Sequence, residues 1–314
     1  MSNQMNAVFV GSSNMDMIFH VKDLPAVGQT ILSESFYTNF GGKGANQAVA
    51  CAKLGGNSGK VECAFVGRVG NDLYGEQMTQ NMKNLNSIDI SQMKKIEQTN
   101  SGMAVISVDQ NGQNQIILFQ GANAMIGKND IDLALNLFDK SNFIVCQLEI
   151  PIYLVTLFNP APAFSFDILM KEINFNDVTI IVPNEIEAEI LTGIKFDLNN
   201  IKDVHRSLLS QGPIVSIITL GQLGASLCID KRKIDKLIKN QQYDEESDQI
   251  IIHCQAPQLA SVIDTSGAGD CFIGALDIQI LQKCVEQSIM CASMSVQRLG
   301  TQSSFPSADD IHQC

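Results

Sequence analysis

The feature that most constrains the fold of this 314-residue chain is an alternation of short, almost wholly apolar segments with longer segments of helical periodicity. A strand that is apolar at every position is buried on both faces, because a strand with one wet face would alternate. Strands of this kind separated by helices indicate a parallel sheet with helices on both sides. The sequence therefore predicts an α/β fold, with a doubly wound, mostly parallel central sheet. The predicted strands are 7–10, 62–66, 142–148, 178–182 and 215–220, and the clearest predicted helices are 45–54 and 72–85.

Two segments, at about 16–40 and 101–120, are strand-like and lack the intervening helices. Within the second, Asn111-Gly112 separates two strand patterns, and Asn-Gly is a hairpin-turn signal. We therefore expect residues 1–314 to form a single α/β domain into which these strands are inserted as a small β-sheet lid, able to cover a site. A polar segment without periodicity, 231–249, is predicted to be an exposed excursion, and its sequence assigns it no role.

Composition and charge exclude several function classes. The chain has 33 acidic and 21 basic residues, a net charge of −12, which argues against a nucleic-acid partner. No apolar run approaches the roughly 20 residues of a membrane span, and the polar start predicts no secretory signal peptide. The nine cysteines form no C-x-x-C pair, so reduced core thiols are expected. The four histidines are scattered along the sequence. These features favour a cytoplasmic protein, with the nucleus also open.

The strongest local signal is the heptapeptide 264–270, Asp-Thr-Ser-Gly-Ala-Gly-Asp, followed at once by a helical pattern. Small residues that open a helix aim free N–H groups and the positive end of the helix dipole at one point. Gly267, Ala268 and Gly269 are therefore predicted to form an anion hole for phosphoryl charge. Asp270, in the first turn, is predicted to be the general base that takes the proton of an attacking hydroxyl. The alternative is a helix-capping aspartate after a glycine turn.

Two further clusters follow early strands. Lys43 and Asn46 offer hydrogen-bond donors in the glycine-rich segment 41–48, which is not a P-loop. Asn14 and Asp16 follow the first strand, and ligands of open α/β sheets bind beyond the carboxyl ends of strands. Taken alone, the first cluster could be a flexible turn with a solvated lysine, and the second could consist of ordinary turn residues.

Six segments in order resemble the motifs of the ribokinase (pfkB) family of carbohydrate kinases. They are 42–48, 148–149, 159–163, 183–193, 218–221 and 264–270. The resemblance extends from about Val8 to Pro306, and the Gly-Lys-Gly-Ala-Asn-Gln form is more similar to ribokinases than to adenosine kinases or fructokinases. It implies ATP-dependent phosphorylation of ribose at its 5-hydroxyl, with Mg²⁺ and an activating K⁺ as cofactors.

The resemblance also implies a role for each matching residue. The anion hole would extend from Ser266 to Gly269. Nucleotide contacts would include Gly269 and Asn184, and Glu187 would hold Mg²⁺ through water. The ribose hydroxyls would be bound by Asn14, Asp16, Gly42, Lys43, Asn46, Glu149 and Asp270. The remaining nucleotide contacts would be Thr219, Gly221 and Gly224, and the K⁺ site would comprise Asp264, Ser266, Ser295, Arg298, Gly300 and Ser304. The lid strands would close over the sugar and would form a homodimer contact.

The sequence departs from the family between Pro151 and Asn159, where the family has a full helix followed by a strand. The seven residues between them can supply the strand but not the crossover helix that parallel neighbours require. We therefore expect either a displaced strand or an uncovered apolar patch on one face of the sheet, and we expect the chain as written to be unstable.

Two other functions stay open beside ribose phosphorylation. One is a kinase of another small sugar, such as deoxyribose, because the motifs do not show which hydroxyls are bound. The other is a sugar- or nucleotide-binding pseudoenzyme, in which the lost helix has compromised catalysis.

Overall fold

The computed structural model describes residues 5–55, 61–85, 87–149, 157–171, 173–230, 249–259, 261–275 and 281–311. Its strands are β1 Met5–Val10, β2 Asn14–Val21, β3 Ser33–Gly41, β4 Val61–Gly70, β5 Ile88–Ile96, β6 Gly102–Val108, β7 Asn114–Phe119, β8 Phe143–Cys146, β9 Leu157–Phe158, β10 Ile180–Ile181, β11 Val215–Thr219, β12 Ala225–Asp230 and β13 Gln249–Cys254. Its α-helices are α1 Lys43–Gly55, α2 Leu73–Lys83, α3 Lys128–Leu133, α4 Leu135–Phe138, α5 Phe166–Leu169, α6 Glu185–Thr192, α7 Ile201–Ser210, α8 Ala268–Ala275, α9 Leu281–Ser295 and α10 Ala308–Ile311. Short 3₁₀ helices cover Gly121–Met125, Phe175–Asp177, Leu198–Asn200 and Gly221–Leu223.

The central sheet has nine strands in the order β13-β12-β11-β10-β9-β8-β1-β4-β5. Seven of them, from β11 to β5 across the sheet, pair in parallel. β12 and β13 add an antiparallel edge beside β11. The predicted mostly parallel α/β sheet is therefore confirmed.

Residues along the central strands alternate between two hydrophobic cores. In β1, Phe9 packs with α1, α2, α8 and α9, whereas Val8 and Val10 pack with α5, α6 and α7 on the opposite face. Both sets of side chains are buried, which explains why these strands are apolar at nearly every position. Among the described residues, no helix is long and apolar enough to cross a membrane.

The second sheet has four strands in the order β3-β2-β6-β7 and arises from the two segments that lack helices. β6 and β7 form the hairpin predicted at Asn111-Gly112, where Gly112 has a φ of +76°. We call this sheet the lid. All six residues of β7 are exposed, so none of the described residues covers this edge of the lid.

The short connection after β8 does not displace the following strand. β9 pairs in parallel with both β8 and β10, so the predicted displacement is wrong. Residues 150–156, which include the first part of the predicted strand, lie outside the described residues. The other expected consequence, an uncovered apolar patch on the sheet, is not seen among the described residues of β8 and β9, since Val145, Cys146, Leu157 and Phe158 are all buried.

Candidate functional site

The site lies where four neighbouring parallel strands end. Glu149, Asn159 and Asn184 follow β8, β9 and β10, and Thr219 is the last residue of β11. Asn159, Asn184 and Thr219 line a cavity of about 200 Å³, together with Lys43, Glu187, Gly267, Ala268, Gly269 and Asp270. The carboxyl ends of the strands thus help to bring residues from six distant segments to one edge of the sheet.

The amino end of α8 opens into this cavity. Gly267 has a φ of +73°, and a Cβ there would collide with the Thr301 side chain, so both its conformation and its packing require glycine. The Ala268 amide bonds the Thr265 carbonyl at 3.3 Å, whereas the amides of Gly269 and Asp270 meet no hydrogen-bond acceptor among the described residues. Two unpaired donors at a helix amino end that lines a cavity form an anion-binding point.

Asp270 is held by two amide side chains of α1. Asn46 Nδ2 donates to its Oδ2 at 2.9 Å, and Gln47 Nε2 donates to its Oδ1 at 3.0 Å. Burial raises the pKa of Asp270 and Glu149 raises it further, against Lys43 and the two amide donors, which lower it. The side chain does not cap its own helix in these contacts. It presents a fixed carboxylate beside the free amides of α8.

Lys43 is half-buried among carboxylates at the start of α1. Burial alone would lower its pKa, but Asp270, Glu149, Glu187 and Asp16 outweigh burial and raise it. The charged form of the lysine is therefore favoured at the centre of the acidic site.

Glu149 joins the end of β8 to the glycine-rich segment. Its Oε2 accepts hydrogen bonds from Ser12 Oγ and from the Lys43 backbone N–H, the latter at 3.1 Å. Ser12 was not among the residues predicted from the sequence, although it lies in the cluster after β1. Glu149 itself lies at the last described position before 150–156.

Asn14 and Asp16, in the lid strand β2, lie against the glycines before α1. A Cβ on Gly42, whose φ is +89°, would lie 2.8 Å from the Asn14 amide nitrogen, and a Cβ on Gly41 would collide with the Asp16 carboxylate. Burial, reinforced by Glu149 and Asp270, raises the pKa of Asp16 from 3.8 to about 7. Gly41 thus allows the Asp16 side chain, and Gly42 the backbone of Ser13 and Asn14, to lie close to the start of α1.

Asn14 is oriented by a residue that sequence reasoning missed. Asn123 Nδ2 donates to Asn14 Oδ1 at 2.7 Å, while Asn123 Oδ1 accepts the Ser13 backbone N–H at 2.9 Å. Because Asn14 Oδ1 is occupied in this way, its amide nitrogen is the atom left to donate to a ligand. The only signal in the sequence is the Gly-Ala-Asn at 121–123, before a helical pattern.

Asn184 and Glu187 form a capping box at the start of α6. Asn184 Oδ1 accepts the Glu187 N–H, and Glu187 Oε2 accepts the Asn184 N–H, both at 2.8 Å. Burial raises the pKa of Glu187, while the Asn184 N–H and Lys43 lower it. The pair therefore has a structural role in addition to lining the cavity. The second carboxylate oxygen, Oε1, has no hydrogen-bond partner within the described residues.

Of the five residues predicted to contact the nucleotide, Asn184, Thr219 and Gly269 line the cavity. Thr219 does so at the end of β11, where it forms a bridge with Asn184. Gly221 and Gly224 lie in the following turn, with φ of +52° and +94°. At Gly224 a Cβ would collide with the Cys254 carbonyl of β13, so packing accounts for this glycine.

The residues predicted to bind K⁺ lie on two loops that Asp264 ties together. Its Oδ1 accepts the Ser266 N–H and its Oδ2 accepts the Gly300 N–H, both at 2.9 Å. The Ser295 and Ser304 hydroxyls donate to the carbonyls of Ala292 and Thr301, so their oxygens can still accept or coordinate. The Arg298 guanidinium instead pairs with Asp310 at 3.1 Å, which leaves only its carbonyl as a ligand. Among the described residues, no group of three or more histidine, cysteine or acidic side chains could hold a metal.

A family model described as pfkB family carbohydrate kinase matches residues 4–308, nearly the whole chain. The chain belongs to the pfkB family of carbohydrate kinases. Ribokinase from Mus musculus is 33% identical over 325 residues, covering 97% of this chain and 93% of its own. Deoxyribokinase from Salmonella typhi is 32% identical over 331 residues, covering 98% of each chain. The solved structure of ribokinase from Giardia lamblia superimposes with a TM-score of 0.82 at 27% identity, covering 99% of this chain and 98% of that one.

As a pfkB carbohydrate kinase, the chain is a phosphotransferase that acts on a sugar, and kinases of its type use ATP. The two alignments are longer than the chain itself, which has 314 residues. The relatives therefore contain residues that this kinase lacks. The sequence analysis assigned no role to Ser12, Asn123 or Gln302. It also assigned none to Gln47 and Asn159, although both lie in the family motifs.

Proposed function

We propose that this kinase transfers the γ-phosphoryl group of ATP to the 5-hydroxyl of D-ribose, giving ribose 5-phosphate and ADP. The observation that carries the proposal is the fixed carboxylate of Asp270 beside the unpaired amides of Gly269 and Asp270. A base and an anion-binding point that face one cavity are what in-line phosphoryl transfer requires.

In the proposed step, Asp270 accepts the proton of the 5-hydroxyl as that oxygen bonds to the γ-phosphorus. The bond from the γ-phosphorus to the bridging oxygen breaks, and ADP leaves with the electron pair. The free amides of α8 donate to the phosphoryl oxygens, on which negative charge is concentrated. The ammonium of Lys43, half-buried among four carboxylates, offsets that negative charge and donates a hydrogen bond to a sugar or phosphate oxygen.

The sugar is assigned to the region where the lid strand β2 meets the start of α1 and the end of β8, because the side chains there combine acceptors and donors. Asp16 and Glu149 supply carboxylate oxygens, while Asn14, Lys43 and Asn46 supply donors. This mixture suits a polyol, because each hydroxyl both donates and accepts a hydrogen bond. The Gly42 backbone, proposed to contact the sugar, must be glycine because its φ is +89° and a Cβ would collide with the backbone of Ser13 and Asn14.

The described residues offer oxygen ligands for both proposed metal ions. Glu187 Oε1 is free and lines the cavity, which suits an Mg²⁺ held through water with phosphate oxygens as its main ligands. When bound, Mg²⁺ neutralises phosphate charge and aligns the triphosphate. The two loops joined by Asp264 offer hydroxyl and carbonyl oxygens for K⁺ next to the anion-binding amides. The Asp264, Ser266, Ser295, Gly300 and Ser304 oxygens are the proposed ligands, with the Arg298 carbonyl as the sixth.

The uncovered face of the lid supports a homodimer. Ile117 and Phe119 in β7 are 72% and 47% exposed, and Phe36 in β3, on the same face of the lid, is 52% exposed. Large apolar side chains that cluster on one exposed sheet mark an interaction surface. We place the protein in the cytoplasm, where its buried thiols stay reduced.

Deoxyribose is the second candidate substrate, since a deoxyribokinase is as similar to the chain as a ribokinase is. The two sugars differ in one hydroxyl, and a site that hydrogen-bonds a hydroxyl discriminates strongly against the analogue that lacks it.

The test is coupled ADP release from the purified full chain with a panel of pentoses and hexoses. Higher kcat/KM for ribose than for every other sugar supports the proposal. Higher kcat/KM for deoxyribose replaces the substrate. Binding of ribose and ATP without ADP release would identify a pseudoenzyme and refute the proposal.

A further inference from the structure

A chain of buried amide side chains surrounds the Asp270 carboxylate and reaches it from two directions. On one side Gln47 donates to Oδ1, and on the other Asn46 donates to Oδ2. Both amides are buried, with exposed fractions of 0% for Gln47 and 5% for Asn46. Each must therefore satisfy its remaining polar atoms within the protein.

The direction of the Gln47 arm is set by a backbone carbonyl. The Val182 carbonyl can only accept, so Asn159 turns its Nδ2 toward it, at 2.8 Å. Asn159 Oδ1 then faces Gln47 Nε2 at 3.4 Å, which is the nitrogen that also donates to Asp270. Gln47 Oε1 in turn accepts from Gln147 Nε2 at 2.7 Å. This arm can present only a donor to Asp270.

The Asn46 arm is oriented by Gln302, on the loop between α9 and α10. Gln302 Nε2 donates to Asn46 Oδ1 at 3.0 Å, which turns Asn46 Nδ2 toward Asp270. Gln302 Oε1 accepts from Asn81 Nδ2 at 2.8 Å, so the Gln302 amide cannot reverse without losing that donor. The Lys53 ammonium donates a hydrogen bond to the Gln302 backbone carbonyl and so holds the loop that carries Gln302.

We propose that Gln302 is a positioning residue for Asp270, acting through Asn46 to hold a donor against the carboxylate and to aim its remaining lone pairs into the cavity. The inference rests on the proposed function, in which Asp270 is the base. Gln302 lies 256 residues from Asn46 and does not bond Asp270 itself, so it touches no reacting atom. Its effect is expected in the chemical step, since a base displaced by a fraction of an ångström transfers protons poorly.

The test compares three single variants by steady-state kinetics with ribose and ATP. Gln302→Met keeps the side-chain volume and removes both hydrogen bonds, and we expect kcat to fall roughly 10- to 100-fold with KM for ATP changed less than about twofold. Gln302→Glu can still bond Asn46, but only by accepting, which turns Asn46 Oδ1 toward Asp270. A positioning role predicts a loss at least as large as for methionine, whereas a merely structural hydrogen bond predicts a smaller one. Gln297→Glu is the matched control, because this exposed residue of the same segment bonds only the Ser293 carbonyl.

The dependence on Asp270 is tested in the Asp270→Asn background. There Gln302→Met should change the residual kcat by less than about twofold, because the base that it positions is gone. A full multiplicative loss in that background, or near wild-type kcat for Gln302→Met alone, overturns the proposal. Should Gln302→Met fail to fold, Asn81→Leu removes the donor that holds Gln302, and the same comparison applies to it.

A measurement without substrate separates this inference from the proposed function. Urea unfolding of the wild type, Gln302→Met, Asp270→Asn and the double variant gives a coupling between two residues that do not touch. We expect non-additivity of at least about twofold in the unfolding equilibrium constant. Additive effects contradict the network even if the enzyme is active. Coupling in a chain without ADP release contradicts the proposed function alone.

Discussion

The acidity of Asp16 gives a prediction about stability that can be worked out from the structure. Its pKa of about 7, against 3.8 for an ordinary aspartate, means that the folded state holds a proton that the unfolded chain releases between these values. The free energy of unfolding therefore falls as pH rises from about 4 to 7, because the folded state binds more protons. At about 1.4 kcal/mol per pKa unit, the cost is about 4 kcal/mol at pH 8 and under about 2 kcal/mol at pH 5.

Asp16→Asn removes this cost, since asparagine has no charge to desolvate. We expect the variant to be more stable than the wild type at pH 8 and the gain to shrink at pH 5, while sugar binding weakens. The Tm gain should be roughly 5 °C larger at pH 8 than at pH 5, at roughly 2 °C per kcal/mol. The assay is thermal melting at both values, followed by urea unfolding.

The control is Asp23→Asn, the same charge change at an exposed position between β2 and β3. It should shift Tm equally at the two pH values. If Asp16→Asn gives no gain in Tm at pH 8, or an equal gain at pH 5 and pH 8, the reasoning is refuted that the buried Asp16 carboxylate beside Glu149 and Asp270 destabilises the fold.

Three further predictions concern stability and cofactors. Burial between Ser216 and Ser226 lowers the pKa of His205 to about 3. The stability contributed by the neutral imidazole is therefore present above pH 6.5 and is lost as pH falls toward 3. His205→Leu should flatten the dependence of Tm on pH between 6 and 4, and an unchanged slope would count against this prediction. K⁺ should raise kcat above its value in Na⁺ at equal ionic strength, because Asp264 links the proposed ion site to the anion-binding amides, and equal rates would remove the site. The short connection between β8 and β9 should leave the chain poorly soluble or melting below about 45 °C, with a longer transcript, of roughly a dozen or more additional residues after codon 151, encoding the more stable enzyme. Cooperative melting above that temperature from a single transcript that matches this sequence would show that the chain needs no crossover helix.

The sequence predicted the fold because the central strands are buried on both faces and are therefore apolar at nearly every position. Phe9 and Val10 face different cores, so both must be apolar, and the pattern is visible in any single strand. The lid was predicted for the converse reason, since its strands lack intervening helices. The placement of β9 was not predicted, because strand pairing depends on neighbours and not on the length of one connection.

The candidate site was predicted where its residues lie in short local motifs. Asp270 follows from the chemistry of small residues at a helix start, whereas the roles of Lys43 and Asn46 were implied by the family resemblance. Gln302 could not be found in this way, because its partner is 256 residues distant and a glutamine in a polar loop has no distinctive pattern. Asn184 and Glu187 show the opposite limit: their spacing of three residues is also that of a capping box, and the structure contains one.

The central claim, that Asp270 is the base of phosphoryl transfer, is tested most directly by single-turnover and steady-state kinetics of Asp270→Asn and Asp270→Ala with ribose. Both are needed, because the asparagine amide would face the donors Asn46 and Gln47, whereas alanine leaves them unpaired. The account predicts that kcat falls by roughly 10²- to 10⁴-fold in both variants while ribose affinity changes little, with Asp23→Asn close to the wild type. Turnover near the wild-type rate in either variant would contradict it.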